Sequence, residues 1–245
     1  MNQWNLQPLP AVNSGTKVLV ITAHPDDVDF GAGGTVSHLI SSGAQVSYLI
    51  TTDGNQGGED ASISRAEMAQ IRRSEQLAAG EVLGVSDITF LGELDGSVIS
   101  TIALRKKFVK QIRITQPQIL LTQSPERNWE RIFASHPDHL AVGETAVQAV
   151  YPDARNQFAF PELLAEGLDP WRVEQIWLMG HPNPNSYQIV SSEVEKKFSA
   201  LKAHDSQTAH MENLREMVTD WMQKIAERAN LPAGELAEAF FVTTA

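Results

Sequence analysis

The chain predicts an α/β fold: a Rossmann-like, doubly wound, mainly parallel sheet with helices on both faces. Three observations lead there. Short, mostly apolar and β-branched runs alternate with stretches of helical period. The first run, Lys17 to Ala23 (KVLVITA), has no polar alternation, as expected of a parallel strand buried on both faces. Loops rich in His, Asp and Gly follow the ends of these runs, where open parallel sheets bind their ligands.

The elements follow in order. After the first strand, Gly33 to Ser42 reads as a helix ending before Gly43. Gln45 to Thr51 is a second strand, and Asp53 to Ser64 a loop with three glycines and three carboxylates. Arg65 to Leu83 is a long amphipathic helix closed by Gly84. Asp87 to Leu91 is a third strand, Thr101 to Thr115 a helix, and Gln118 to Thr122 a fourth strand after Pro117. A loop runs to His136, and a helix follows from Asp138 to Val150. Beyond Tyr151 the pattern weakens, punctuated by Pro152, Pro161 and Pro170. Strands near 175–179 and 187–190 and helices from Ser192 and about Ala209 complete the reading. Neither a repeat nor a linker divides the chain, so one domain is expected over residues 1–245, with 1–16 as a polar arm.

Composition narrows the function classes. With 245 residues, 42% of them hydrophobic and 20% charged, the chain is long enough for a large core and ordinary for a soluble protein. No apolar run is long enough to span a bilayer, and the first 16 residues lack the pattern of a signal peptide, so a cytoplasmic location is expected. The absence of cysteine rules out disulfides and thiolate metal sites, leaving His, Asp and Glu as ligands. A net charge of −11 argues against nucleic acid as a partner. A small molecule is the expected partner, and a homo-oligomer is compatible with the sequence.

The chemistry lies in two His-Pro-Asp-X tetrapeptides, His24-Pro25-Asp26-Asp27 and His136-Pro137-Asp138-His139, both expected at the same sheet edge. One such segment is an ordinary turn with a helix cap; two together point to a metal. His24, Asp27 and His139 offer two nitrogens and one oxygen and leave a fourth position for water, as catalytic zinc requires. Asp26 and His136 are then spare ionisable groups beside the metal, one a base and the other a cationic partner for an oxyanion. Asp53 and Asn55, at the end of the second strand, are candidate substrate contacts. Trp129 is a candidate stacking surface for a sugar ring. His181 is a candidate wall of the pocket, whereas His38, His204 and His210 read as surface or packing residues.

Ala23-His24-Pro25-Asp26-Asp27 with Gly31-Ala32-Gly33-Gly34-Thr35, and the later His136-Pro137-Asp138-His139, resemble the two motifs of the PIG-L/LmbE-type deacetylases. Arg72-Arg73-Ser74-Glu75 with Leu83-Gly84-Val85 is similar to the family's second-helix pattern, and 202–207 and Glu238-Ala239-Phe240 to its C-terminal signatures. The resemblance implies a Zn²⁺-dependent hydrolase, with Fe²⁺ as an alternative metal, that removes an N-acetyl group from an amino sugar or GlcNAc-containing conjugate. It implies His24, Asp27 and His139 as ligands, Asp26 as general base, His136 as second catalytic residue, Asp138 orienting a protonated His136, and Arg72 reaching the substrate. Asp29 stands where the family usually has Glu. Two further readings use the same residues: a sugar- or metal-binding protein without turnover, and an amidase for a sugar-linked thiol conjugate. The Gly31-Ala32-Gly33 run is not a dinucleotide fingerprint, because Val36 stands where the third glycine belongs and His24-Pro25 where the glycine turn belongs.

Overall fold

A computed structural model describes residues 4–245. The strands are β1 (Gln7–Pro8), β2 (Lys17–Thr22), β3 (Gln45–Thr52), β4 (Asp87–Glu93), β5 (Ile119–Gln123), β6 (Gln175–Met179), β7 (Ser186–Ile189) and β8 (Ala237–Thr244). They form one sheet in the order β1-β7-β8-β6-β5-β2-β3-β4. Every neighbouring pair is parallel except those of β8, which runs antiparallel between β6 and β7. The strand order reverses at β2, which pairs with β3 on one side and β5 on the other. That reversal opens a crevice between the ends of β2 and β5.

The helices are α1 (Asp27–Ser41), α2 (Arg65–Leu83), α3 (Ile102–Thr115), α4 (Pro137–Gln148), α5 (Pro161–Ala165), α6 (Val194–Ala203), α7 (Asp205–Thr208) and α8 (Leu214–Arg228). Successive residues of β2 point to opposite faces and are buried on both. Val18 and Val20 join a cluster with Val36 of α1, Leu83 of α2 and Ala200 of α6. Leu19 and Ile21 join Phe108 of α3 and Val142 of α4. This two-sided burial explains why the strand carries no polar alternation. A third cluster joins Phe198 and Leu201 of α6 to Val218 and Met222 of α8. Among the described residues no helix is long and apolar enough to cross a membrane.

Several boundaries differ from the sequence reading. Helix α1 starts at Asp27, six residues before the expected Gly33, and runs through the glycines. Contact overrides propensity there: a Cβ on Gly31 would lie 2.6 Å from the Met179 sulfur, and one on Gly34 2.7 Å from Val190. The arm 1–16 is more than polar. Residues 1–3 lie outside the described residues, but Gln7–Pro8 pairs with β7, Leu6 is buried, and Leu9 and Val12 pack on the core. Strand β8 was not expected, although Phe240 to Thr244 are strong strand formers; its first three residues, Ala237 to Ala239, are not. The helix expected from Ala209 starts at Leu214, after the separate short turn of α7.

One glycine brings the two motifs together. A Cβ on Gly143 would sit 2.4 Å from the Gln123 carbonyl oxygen, so α4 rests backbone to backbone on the end of β5. Gly143→Ala is therefore expected to cost about 1–3 kcal/mol. Gly33→Ala, whose new methyl meets nothing closer than 3.5 Å, should be neutral or stabilising by up to about 1 kcal/mol. Urea unfolding of the two variants measures the contrast; equal midpoints would refute it.

Candidate active site

Strand β2 leads directly into His24-Pro25-Asp26-Asp27. Asp26 has φ 87°, a left-handed conformation unusual for a non-glycine residue. This turn sends Asp26 and Asp27 apart at the start of α1, and its persistence needs fixed surroundings. The surroundings are present. The Gln76 side-chain oxygen accepts from the Asp26 N–H at 2.8 Å, and Arg72 donates to the Asp26 carboxylate at 3.0 Å, the Pro25 carbonyl at 2.5 Å and the Gly54 carbonyl at 3.1 Å. On the opposite side, Gln123 accepts from the Ala23 N–H at 3.0 Å and donates to Asp27 at 2.7 Å, tying the ends of β5 and β2 together.

His24, Asp27 and His139 converge. His24 Nδ1 is 3.3 Å from His139 Nε2 and 3.5 Å from Asp27 Oδ2, and His139 Nε2 is 2.9 Å from Asp27 Oδ1. The two legs to Asp27 end on different carboxylate oxygens, and the three side chains lie close to the roughly 3.3 Å separation of donors about 2.0–2.1 Å from one tetrahedral ion. The far nitrogens are anchored as metal-bound imidazoles are. His24 Nε2 lies 3.1 Å from Asp138 and 3.0 Å from Asp95, and His139 Nδ1 is 3.4 Å from the Ala134 carbonyl. The carboxylates around His24 outweigh its burial. Burial opposes charge on His24, yet Asp27, Asp138 and Asp95 push its pKa up to about 12. Burial likewise opposes charge on Asp27, and His139 and His24 hold it well below the carboxylate range. Two other groups each place one donor atom per residue within 4.8 Å of one another: His24, His136 and His139, and His24, Asp95 and Asp138.

Two expected roles change. The Asp138 carboxylate does not orient His136. It accepts from the Gly96 and Val98 N–H groups at 2.7 and 3.1 Å and faces His24. Asp138 reaches His136 only through its backbone N–H, which donates to His136 Nδ1 at 3.2 Å. Nor does His136 favour a proton: burial, His24 and His139 lower its pKa against the opposing pull of Asp138. Arg72, expected on the substrate, is 4% exposed and engaged with Asp26 and two carbonyls. It is not paired with Glu75 either, which accepts from Ser206.

Asp53 and Asn55 close a turn on each other, with the Asn55 N–H and side-chain amide donating to Asp53 at 3.2 and 3.3 Å. The Asn55 side-chain oxygen is buried and has no partner. Gln56 then donates to Asp95. Trp129 is 80% exposed with Arg127 over its ring, and His181 is buried against Phe241. A cavity of about 490 Å³ opens beside Asp27, Gln123 and His139, lined mostly by apolar side chains of α8 and neighbouring segments.

The profile of the PIG-L family, described as GlcNAc-PI de-N-acetylase, matches residues 19–150, more than half of the chain. The chain belongs to the PIG-L family. It is 36% identical over 195 residues to the diacetylchitobiose deacetylase of Thermococcus kodakarensis, covering 80% of this chain and 71% of that protein. It is 30% identical over 201 residues to a probable N-acetyl-alpha-D-glucosaminyl L-malate deacetylase 2 of Bacillus cereus, covering 79% and 84%. The N,N'-diacetylchitobiose deacetylase of Pyrococcus horikoshii superposes with a TM-score of 0.86 at 30% identity, over 93% of this chain and 84% of that one. The 4-carboxy-2-hydroxymuconate hydratase GalB of Pseudomonas putida shares the fold, with a TM-score of 0.76 at 20% identity over 94% and 95%.

Residues outside the two His-Pro-Asp motifs form the backing of this PIG-L site. Asp29, fully buried, accepts from Gln76 at 2.9 Å and lies 2.9 Å from His204 Nε2, so His204 is neither surface nor packing. Lys197 donates to the Asp29 and Phe30 carbonyls and to Glu238, whose oxygens accept from the Gly34 and Thr35 N–H groups. Asp95 and Gln123 carried no motif. Burial opposes charge on His204, but Asp29 raises its pKa. A raised histidine pKa stabilises the fold fully below about pH 6.5, and that stability is lost as pH rises through the native value. The gap in unfolding free energy between wild type and His204→Gln should therefore shrink as pH rises above about 6.5. A gap constant from pH 6 to 9 in urea titrations would refute a charged His204–Asp29 pair.

Proposed function

We propose that this PIG-L protein is a metal-dependent N-deacetylase acting on an amino sugar or GlcNAc-containing conjugate, with zinc as the metal. His24, Asp27 and His139 are its ligands, Asp26 the general base and His136 the oxyanion donor. One observation carries the reading: a tetrahedral-sized triangle of two nitrogens and a carboxylate opens onto a cavity, beside a second carboxylate with no ligand duty. The names of the two sequence relatives support it: one is a diacetylchitobiose deacetylase and the other a probable N-acetyl-alpha-D-glucosaminyl L-malate deacetylase. Iron(II) suits the same donors.

When bound, the metal lowers the pKa of a water and polarises the amide carbonyl. The chain supplies the rest. Asp26 takes a proton from the attacking water and delivers it to the leaving nitrogen. Burial pushes its pKa up to about 6, while Arg72 opposes the rise. It is therefore ionised at neutral pH yet basic enough to accept a proton. Arg72 positions Asp26 and sets its charge, which accounts for its burial. His136 accepts the Asp138 N–H at Nδ1, so the neutral ring carries its hydrogen on Nε2 and can donate it to the developing oxyanion. This neutral role replaces the imidazolium expected from the sequence and needs no alkaline limb from His136. The PIG-L residues Asp53 and Asn55 face the sugar in this reading, through the unpaired Asn55 oxygen.

Deacetylation of N-acetylglucosamine and diacetylchitobiose, followed by release of acetate, tests the activity. His24→Ala, Asp27→Ala and His139→Ala should each lose metal and turnover by elemental analysis and assay. His136→Ala should keep the metal; its loss would favour the three-imidazole set. Asp26→Asn should keep the metal and lower kcat by roughly 10²-fold or more; a metal-replete variant with normal kcat would rule out Asp26 as the base. In wild type, kcat should rise with pH through a midpoint at or below about 6, since a bound cation can only lower the Asp26 value. Arg72→Ala removes a positive charge, so that limb should move to higher pH with KM little changed. A large KM effect with an unmoved limb would return Arg72 to the substrate.

A further inference from the structure

Four of the chain's six methionines, Met179, Met211, Met217 and Met222, line the cavity beside the proposed reaction centre. Phe30, Val218, Trp221 and Ile225 complete its apolar wall. Phe133 stacks on Trp221 at the rim, with ring centroids 5.9 Å apart and planes 24° apart. At about 490 Å³ the space is of small-molecule size, far more than an acetyl methyl fills.

Three polar groups in this wall are already engaged, while the Arg131 guanidinium makes no hydrogen bond or ion pair among the described residues. Lys197 donates to Asp29, Phe30 and Glu238; Glu238 accepts from Gly34 and Thr35; Gln123 uses both ends of its amide on Ala23 and Asp27. Arg131 lies over the Phe133 and Trp221 rings at the mouth. A sugar ring placed here would leave hydroxyl groups without partners, at a cost per group that an aliphatic chain does not incur. Polar groups gather on the opposite flank, at the ends of β3 and β4, where Asp53, Asn55 and Asp95 lie. An amide held at the triangle thus has its sugar toward β3 and β4 and its acyl group toward β6, β8 and α8. Methionine side chains adapt to flexible apolar partners.

We infer that the cavity is an acyl-chain site and that the chain acts on amino sugars bearing medium-length aliphatic N-acyl groups, not acetyl alone. This rests on the deacetylase reading and extends it. The reaction is unchanged: water adds to the carbonyl carbon, the C–N bond breaks, and a free amine and a fatty carboxylate leave.

The test is a series of N-acylglucosamines, from acetyl through butanoyl and hexanoyl to octanoyl, with released glucosamine measured on the metal-loaded protein. We expect kcat/KM to rise at least roughly tenfold from acetyl to octanoyl, on the scale that buried methylenes contribute. Met217→Phe, which fills the cavity, should lower the octanoyl value at least roughly fivefold more than the acetyl value. A second measurement needs no turnover: octanoate, but not acetate, should change tryptophan emission saturably, and Trp221→Phe should abolish the response. A flat or falling series with acetyl still hydrolysed overturns the inference, as does octanoate without effect. Octanoate bound but no substrate hydrolysed would support the apolar site and overturn the deacetylase reading.

Discussion

Three carboxylates converge on one imidazole, and most of the architecture follows from making that tolerable. Asp27, Asp95 and Asp138 all approach His24 within 3.5 Å in a buried setting. Like charges at such range repel unless a cation or N–H donors offset them. Asp138 takes two backbone N–H groups from 96–98, Asp95 takes the Gln56 N–H, and Asp27 takes Gln123 and the His24 N–H. The loops after β3 and β4 are therefore part of the electrostatics of the centre. They hold negative charge in place and keep the side chains around His24 oriented.

The same site shows how much of this was readable in advance. The β-α alternation and the paired tetrapeptides were legible because strand burial and ligand chemistry leave local patterns. His24, Asp27 and His139 meet as the spacing required. Arg72 was misread because a motif records that a residue matters, not what it touches. The side chain that looked free to reach out runs inward, where Gly54 and Gly57 leave room for its guanidinium. Asp138 was misread for a related reason: its neighbour in sequence is His136, but its neighbour across the crevice is His24. Asp95, Gln123 and Lys197 had no signal, since their meaning exists only once five separate segments are brought together. The early start of α1 was hidden because glycine is a helix breaker in isolation and a spacer when the helix is pressed against a methionine.

The fold does not decide the chemistry. A hydratase shares this arrangement of strands and helices with deacetylases. In this chain His24, Asp27 and His139 gather at the crevice between β2 and β5. Here α8 covers the crevice from one side, and its cavity-facing residues are apolar.

Glu238 has a consequence for how the molecule assembles. It lies 204 residues from Gly34, whose N–H it accepts, and its strand enters the sheet between two strands formed from earlier parts of the chain. Closing so long a loop is slow relative to forming local turns. The helix that carries Asp27 takes its backing from a distant part of the chain. Lys197, held between Glu238 and the carbonyls of Asp29 and Phe30, locks in the same event. Without that closure, His24, Asp27 and His139 would lack the packing that brings them together as one cluster.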